Sequence, residues 1–366
     1  MVSSKTWRLV LFILGGVILL FAGAIIFLFH PRTAQPPSTL LSKTGDEFNI
    51  LLIGKDARAL NPAQDNGGRT RIPRENIAHS DIVIVAHLNF KLNRLNLVAL
   101  PRDLLVEVPG ITAAASSTDF NRMEKLTHTF AIGGAPLLRR TVEKLLGIQI
   151  HRFIALDFDT FRILFAFVSR FIGPIQIGNI KLRDPDQALK FVRQRNYLKY
   201  DDLDRCRNTL NFIKTIARRL WLITGTRAGD ILIDQFFKIV GTDTDLTPAE
   251  LKYLLSQLRQ NRFNPDLITL VVLVSEGRPV TLDRYAMTLS CYLPVYPEIE
   301  KQIQRYLYDD DRVAALDFMT QQFYSWPDYM TREYNLLPEY QNDTLKRLEL
   351  VKKIIQQTLP APDSGL

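Results

Sequence analysis

The sequence predicts an α/β fold, in which a mixed central sheet carries helices on both faces and follows one N-terminal transmembrane helix. Two observations carry this prediction. Short apolar runs, typical of strands buried on both faces, alternate along the chain with segments of helical hydrophobic spacing. Ahead of them lies a stretch of 21 uncharged residues, 9–29. At about 1.5 Å rise per residue, a helix of that length crosses a bilayer.

The apolar stretch 9–29 is expected to be a retained anchor, because a cleaved signal peptide has a shorter apolar region of about 7–15 residues. The basic residues before it, Lys5 and Arg8, predict that the N-terminus stays inside. We therefore expect a single-pass protein of the cytoplasmic membrane with an extracytoplasmic body. Residues 1–8 form the cytoplasmic N-terminus, and residues 30–47, rich in Pro, Ser and Thr, form a linker.

The body begins with three expected strands, 48–54, 81–90 and 94–100, the last two joined by a tight turn at 91–93. A helix ending at Gly147 and a strand over 153–158 follow. Helices are expected after three capping signals, and a buried strand at 267–274 completes the pattern. The three capping signals are Asp159, Asp184-Pro185 and Thr247-Pro248-Ala249-Glu250. We interpret residues 48–310 as one extracytoplasmic domain and residues 311–366 as a C-terminal extension of unknown role.

Composition excludes several classes of protein. The net charge is +8, but residues 46–366 carry only +4, which is too little to predict nucleic-acid binding from charge. Two cysteines exclude a disulfide-rich scaffold and a multi-cysteine zinc site. Cys206 and Cys291 either pair in an oxidising compartment or are buried free thiols. No nucleotide-binding P-loop, serine-hydrolase elbow or zinc-protease motif occurs, and the scattered His87, His128 and His151 are interpreted as packing or surface residues.

Charged residues accumulate where the expected strands begin or end, which is the usual position of ligand sites in open α/β sheets. Carboxylates in such a place suit a hard cation such as Mg²⁺, and several arginines suit a phosphate or pyrophosphate. The pattern therefore predicts a site for an anion together with a divalent cation. The residues concerned are Asp56, Arg58, Asp81, Arg102, Asp103, Arg193, Arg195, Asp202, Asp204, Arg205 and Arg207.

Seven segments, in this order, resemble the LytR-CpsA-Psr family of cell-envelope glycopolymer phosphotransferases. The resemblance is strong over residues 48–220 and looser to about residue 300. Its specificity comes from the order of the segments, the anchor and the Pro-Arg-Asp triplet at 101–103. The segments are NILLIGKDAR (49–58), HSDIVIVAHLN (79–89), LNLVALPRDLLVEVPG (95–110), KLTHTFAIGGAPLLRRTVEKLLGI (125–148), HRFIALDFDTFRILF (151–165), ALKFVRQR (188–195) and DDLDRCRNTLNFIK (201–214).

The resemblance implies an enzyme that takes a glycopolymer from a polyprenyl-pyrophosphate carrier and joins it to a peptidoglycan hydroxyl through a phosphodiester. It implies Mg²⁺ as cofactor, held by Asp56 and Asp81, and an apolar pocket for the polyprenyl tail. Asp103 would hold an arginine in place or assist deprotonation of the acceptor. The resemblance also implies a set of arginines around the pyrophosphate, with Arg102 and Arg205 catalytic: Arg58, Arg102, Arg193, Arg195 and Arg205.

The chain departs from the family pattern at two places. His79 stands where the family usually has Arg, and its charge as a phosphate ligand would depend on pH. Asn208 and Thr209 stand where a second Arg and a Gln are usual, one turn after Arg205 and on the same helix face. Arg207 is an uncertain substitute, because it is expected to point elsewhere. Lys125 matches a position that is often basic in the family.

Other interpretations of the same residues remain open at this point. A hydrolase would send water to the same phosphorus, and residues alone do not separate it from a transferase. A non-catalytic lipid-glycan-binding envelope protein is suggested by His79, Asn208 and Thr209. A nucleic-acid-binding regulator is disfavoured by the exported body and the small net charge, so we expect no nucleic-acid partner.

Overall fold

The computed structural model describes residues 45–56, 78–110, 123–194, 202–282, 287–295 and 298–313. Strands and helices alternate within these ranges. The strands are β1 (Glu47–Asp56), β2 (His79–Asn89), β3 (Arg94–Leu100), β4 (Leu105–Glu107), β5 (Met123–Lys125), β6 (Arg152–Leu156), β7 (Ile175–Ile177), β8 (Ile180–Leu182), β9 (Thr269–Val272), β10 (Ser275–Leu282) and β11 (Met287–Pro294). The helices are α1 (Leu126–Leu146), α2 (Phe158–Ile172), α3 (Pro185–Arg193), α4 (Asp202–Trp221), α5 (Arg227–Val240), α6 (Pro248–Gln260) and α7 (Glu298–Leu307).

The central sheet is mixed, with five strands in the order β6-β1-β2-β3-β9. The three inner strands are antiparallel neighbours, and the two outer strands, β6 and β9, run parallel to β1 and β3. Parallel neighbours need crossover connections, and here helices supply them. The predicted mixed sheet is therefore confirmed. The remaining short strands form three two-stranded ribbons outside this sheet.

Successive side chains of the central strands point to opposite faces of the sheet and therefore pack in two separate cores. On β2, Val83 and Val85 belong to a core that contains side chains of α1 and α7. Ile84 and Ala86 belong to a second core that contains side chains of α4 and α6. Helices thus cover both faces of the sheet.

Most predicted boundaries agree with the structure. The β2–β3 turn places Asn93 in the left-handed region at φ 53°, α1 stops at Gly147 with φ 68°, and Asp184 caps α3. The predicted cap at Asp159 is wrong, because Asp157 caps α2 by accepting a hydrogen bond from Thr160 N at 2.7 Å. Since Asp157 lies directly after β6, the connection between strand and helix is one residue long.

The predicted membrane anchor, residues 9–29, and most of the linker and C-terminal extension lie outside the described residues. Among the helices that the structure describes, none has the length and apolar character that a bilayer span requires. Cys206 and Cys291 are both free and buried, so the disulfide alternative is wrong. Cys206, on α4, packs in the second core, and burial raises the pKa of the Cys291 thiol to about 11.

Candidate anion-binding site

A β-bulge at the end of the central sheet sets the position of Asp81. Gly54 of β1 pairs with Ile82 of β2, but the next residue, Lys55, pairs with Ser80, so the register skips Asp81. Gly54 is required there, because a Cβ on it would lie 2.9 Å from the Cβ of Ile82. Bulges re-aim side chains beside functional sites. This one places a carboxylate, only 7% exposed, at the sheet end.

Arg102 joins Asp81 to the segment that follows β3. Its Nη1 lies 2.5 Å from Asp81 Oδ1, and its backbone N–H donates to Asp202 Oδ2 at 3.3 Å. Burial lowers the pKa of Arg102, but the charges of Asp103, Asp81 and Asp202 outweigh burial, so the net shift is upward. The sheet end therefore carries a permanently charged guanidinium that carboxylates hold in place.

Arg205 is the most deeply buried cation of the site, with 2% of its surface exposed. It lies in the first turn of α4, where its Nη2 is 2.6 Å from Asp202 Oδ1. That contact is close, but it lacks hydrogen-bond geometry. Within the described part of the chain, Arg205 Nε and Nη2 donate no hydrogen bond. A buried guanidinium with unsatisfied donors is costly by itself and is suited to an anion.

Arg205 and Asp81 line the same small cavity between the sheet and α4. Thr209 also lines it, but its hydroxyl is 3.0 Å from the Arg205 carbonyl, to which it donates. Asn208 is half-buried beside it on α4. The cavity floor is apolar and comes from β2, β3 and α4: Ile82, Val83, Ile84, Ala99 and Cys206.

The remaining predicted residues divide into three groups. Asp56 ends β1 opposite His79, which brings its charge close to the site. Arg193 lies over the ring of Phe158, with Cζ 4.1 Å from the ring centroid, and the described contacts do not join it to Asp81 or Arg102. Arg58 and Arg195 lie outside the described residues. The structure thus brings Asp56, His79, Asp81, Arg102, Asp103, Arg205 and Thr209 to one end of the sheet.

His79 is set between acidic and basic neighbours. Burial and the neighbouring His128 lower the pKa of His79, while the charges of Asp81 and Asp56 raise it, and the net shift is downward. The two imidazole rings meet edge to face with centroids 5.4 Å apart. At neutral pH the site therefore has a neutral imidazole where the family pattern has a permanent cation.

Asp103 holds two cations in place. Its Oδ2 is 3.5 Å from Arg102 Nε, and its Oδ1 accepts a hydrogen bond from Lys125 Nζ at 3.2 Å. Lys125 is mostly buried, with 12% of its side chain exposed, so it is not a surface residue. Of the two roles that the resemblance implies for Asp103, the geometry favours the positioning of basic side chains.

Sequence reasoning missed three residues at this end of the sheet: Glu124, His128 and the role of Asp202. Glu124 is fully buried, and its Oε1 is 2.7 Å from His128 Nδ1. The backbone N–H of the adjacent Thr127 donates to the Arg102 carbonyl at 2.8 Å, which brings the start of α1 against the site. The only indication of this pair in the sequence is that an acidic residue precedes a histidine by four positions, and this spacing is common in proteins.

Asp56 and Asp81 are a chemically suitable donor pair for Mg²⁺, which prefers carboxylate oxygens and keeps several other oxygen ligands. Among the described residues, the group of three metal-ligating types that comes within coordinating distance lies elsewhere, at Glu47, His87 and Asp309. Two carboxylates would therefore need oxygens from water or from a bound phosphate to complete an octahedral site. Unsatisfied arginine donors next to them fit such a phosphate.

The described residues form an α/β domain whose mixed sheet carries, at one end, a candidate anion site that contains Arg102 and Arg205. The family model described as "LytR_cpsA_psr family" matches residues 30–168, and the chain is similar to the LytR-CpsA-Psr family over this range.

Relatives with curated names share a little over a quarter of their residues with the chain. A protein of Oceanobacillus iheyensis named polyisoprenyl-teichoic acid–peptidoglycan teichoic acid transferase TagU is 27% identical over 290 residues, 70% of this chain and 79% of that protein. The protein of the same name from Halalkalibacterium halodurans is 28% identical over 214 residues, 55% of this chain. The chain spans 62% of the length of this second relative.

Solved structures show the same fold. The structure of B. subtilis TagV has a TM-score of 0.53 at 19% identity and covers 72% of this chain and 98% of that one. The structure titled "TagT bound to LIIa-WTA" has a TM-score of 0.52 at 17% identity and covers 76% of this chain and 99% of that one. At these identities the likeness establishes the mixed α/β architecture.

Proposed function

We propose that the chain is a membrane-anchored, extracytoplasmic phosphotransferase. It moves a glycopolymer from a polyprenyl-pyrophosphate carrier to a hydroxyl of peptidoglycan or another envelope glycan. The observation that supports this most directly is Arg205, which lies buried in the cavity that Asp81 also lines and whose Nε and Nη2 donate no hydrogen bond to any described residue. The names of the TagU relatives, which are transferases between a polyisoprenyl-linked polymer and peptidoglycan, agree with this proposal.

In the proposed reaction, the acceptor oxygen bonds to the phosphorus that carries the glycan. The bond from that phosphorus to the bridging oxygen breaks, and polyprenyl phosphate leaves with the bonding electrons. Such transfers depend on positioning and on stabilisation of charge rather than on covalent chemistry by the protein. The energy is already stored in the pyrophosphate, so no nucleotide is required outside the cytoplasm.

The site residues have distinct roles in this proposal. Arg205 and Arg102 bind the non-bridging oxygens, and Asp202 and Asp103 keep these arginines oriented. Asp56 and Asp81 would hold Mg²⁺, which supplies charge neutralisation to the pyrophosphate when bound. His79, being neutral, donates or accepts a hydrogen bond and adds no charge. The site therefore relies on fewer fixed cations than the family pattern has.

Partly buried apolar side chains of the second core are candidates to contact an isoprenoid tail. Ile82 lines the cavity, and Leu52, Ile154, Ile213 and Phe237 also pack against that core while keeping part of their surface exposed. Such side chains offer apolar surface without a polar group that needs a partner. We propose that the tail binds along these residues of the sheet, α4 and α5.

The test uses the full chain in detergent with a polyprenyl-pyrophosphate-linked glycan, peptidoglycan fragments and Mg²⁺. Mass spectrometry should detect an acceptor that carries the glycan through a phosphodiester. Removal of Mg²⁺ by EDTA and the Arg102→Ala substitution should each abolish this product. Arg162→Ala is the matched control, because Arg162 is an exposed arginine of α2 paired with Asp186 at 2.7 Å.

The possible outcomes separate the alternatives. Release of polyprenyl phosphate without a modified acceptor would favour the hydrolase. Binding of the donor with no reaction across several acceptors would favour the lipid-glycan-binding protein. Product formed equally well in EDTA would refute the proposed Mg²⁺ dependence. A reporter fused after residue 366 that is active only in the cytoplasm would refute the extracytoplasmic placement.

A further inference from the structure

We propose that His128, oriented by Glu124, is the general base that deprotonates the acceptor hydroxyl in the transfer reaction. This inference rests on the proposed function and deepens it, because it assigns the proton-accepting group of the same site. In the proposed step, His128 Nε2 takes the hydroxyl proton as the acceptor oxygen bonds to phosphorus. Polyprenyl phosphate leaves from the opposite side, so bonds and charges balance.

The first part of the argument is the contact between Glu124 and His128. Glu124 is fully buried, and its Oε1 lies 2.7 Å from His128 Nδ1. A carboxylate accepts hydrogen bonds, so Nδ1 donates to Glu124, and in the tautomer with its proton on Nδ1 the lone pair lies on Nε2. A base that a third group orients in this way is the recurring arrangement of activated catalytic pairs.

The second part is the position of His128 beside the anion site. Its ring lies edge to face with that of His79, at 5.4 Å between centroids, and His79 pairs with Asp56 across the strands. The residue before it, Thr127, is hydrogen-bonded through its N–H to the Arg102 carbonyl at 2.8 Å. His128 retains 26% exposure of its side chain, so a ligand from solvent can reach the ring.

The third part concerns the other groups near the site. Asp103 is between two cations, Arg102 at 3.5 Å and Lys125 at 3.2 Å, which suits it to hold them in place. Asp81 is paired with Arg102 at 2.5 Å. The charged partner of His128 is instead a carboxylate, which stabilises the imidazolium that forms when the ring takes a proton. His128 is therefore better suited to the task than either aspartate.

The deciding experiment compares His128→Gln with the wild-type full chain in detergent, with separate measurements of donor binding and transfer. Binding is measured with geranylgeranyl pyrophosphate and Mg²⁺, and transfer with the lipid-linked glycan and peptidoglycan fragments. We expect kcat to fall by about 10²- to 10⁴-fold, the usual contribution of general-base catalysis. The Kd for geranylgeranyl pyrophosphate should stay within about twofold, since phosphate binding belongs to the arginines.

Rescue and controls separate a base from a structural residue. Added imidazole should restore part of the transfer rate of His128→Ala, which a purely structural role would not permit. Glu124→Gln should lower kcat less than His128→Gln. His151→Gln is the matched control, because His151 is a half-buried histidine at the other end of β1, where its Nδ1 accepts from Asn49 N at 2.9 Å.

Three results would overturn the proposal. Transfer by His128→Gln within threefold of wild type would show that another group takes the proton. A loss of kcat in His79→Gln, with His128→Gln unaffected, would assign the role to His79. Loss of donor binding in His128→Gln would show that His128 maintains the site. If the wild-type chain binds donor but transfers to no acceptor, the proposed function itself fails, and the assignment of a base fails with it.

Discussion

The buried pair Asp202–Arg205 leads to a quantitative prediction about stability. Arg205 Nε and Nη2 lack hydrogen-bond partners among the described residues, and an unsatisfied buried donor costs about 1–3 kcal/mol. Because Nη2 lies 2.6 Å from Asp202 Oδ1, the cost falls mainly on Nε, at about 1–3 kcal/mol in the absence of an anion. A pyrophosphate that satisfies these donors should recover part of this cost as stabilisation of the folded state.

Three variants examine this reasoning. Asp202→Asn should lower the free energy of unfolding by about 3–5 kcal/mol, because it leaves Arg205 buried without its counter-charge. Arg205→Met should lower the free energy of unfolding by a similar amount, because it removes the counter-charge of the buried Asp202 carboxylate. The free energy of unfolding of the double variant should be equal to that of the wild type or up to about 4 kcal/mol higher, because a buried ion pair can be replaced by apolar or neutral groups at little loss of stability.

Urea denaturation of the full chain in detergent, with and without geranylgeranyl pyrophosphate, provides the measurement. The ligand should raise the midpoint of the wild type and leave that of Arg205→Met unchanged. The exposed pair Arg162–Asp186, at 2.7 Å, is the control, and its removal should change stability by less than about 1 kcal/mol. A double variant less stable than both single variants, or equal stabilisation of Arg205→Met by the ligand, would refute the reasoning.

Three further predictions concern other parts of the fold. Burial raises the pKa of Asp309, but hydrogen bonds from His87 and Asn89 and the charges of His87 and Arg94 lower it below its ordinary 3.8. The stabilisation that the Asp309 carboxylate contributes is therefore present above pH 3.8 and is lost as pH falls through the folded-state pKa. In urea denaturation at a series of acid pH values, Asp309→Asn should make the free energy of unfolding depend less on pH over that range. Glu250→Ala removes both the capping box of α6 and the contacts with Arg152, at 2.5 and 3.2 Å, and should cost about 1–3 kcal/mol in the same assay. Gly54→Ala forces Ile82 to move and displaces Asp81, so calorimetry should show about tenfold weaker binding of geranylgeranyl pyrophosphate, whereas unchanged affinity would mean that the bulge does not set the carboxylate position.

The sequence predicted the sheet and the principal charges of the site because both follow from local patterns. The apolar runs predicted β1 and the β2–β3 hairpin, and the strand ends predicted that Asp56, Asp81 and Arg102 would meet. The helix cap at 159 was wrong because two aspartates lie two residues apart, and only the structure shows that Asp157 bonds to Thr160.

The rest of the site depends on contacts that no local pattern specifies. The bulge at Asp81 is a matter of strand register, and the pairing of β1 with β2 determines it. Glu124 and His128 meet because a short strand leads directly into α1 next to Arg102, and each residue type alone is common. Arg193 stays a prediction for the anion site, and the structure adds a contact that its sequence position does not indicate, because its guanidinium lies over Phe158.

The hydrogen bonds around Asp309 have a practical consequence for immobilisation of the protein. Asp309 bonds to Asn89 at 2.7 Å, and Asp46 accepts from Phe90 N at 2.8 Å, so both boundaries of the described domain lie at one edge. Along the ten residues of β1, about 30 Å separate this edge from Asp56. Immobilising the domain through either boundary on a sensor surface should leave the Asp56 end of the sheet facing the flow. A circular permutation that joins the two boundaries would need only a short connector.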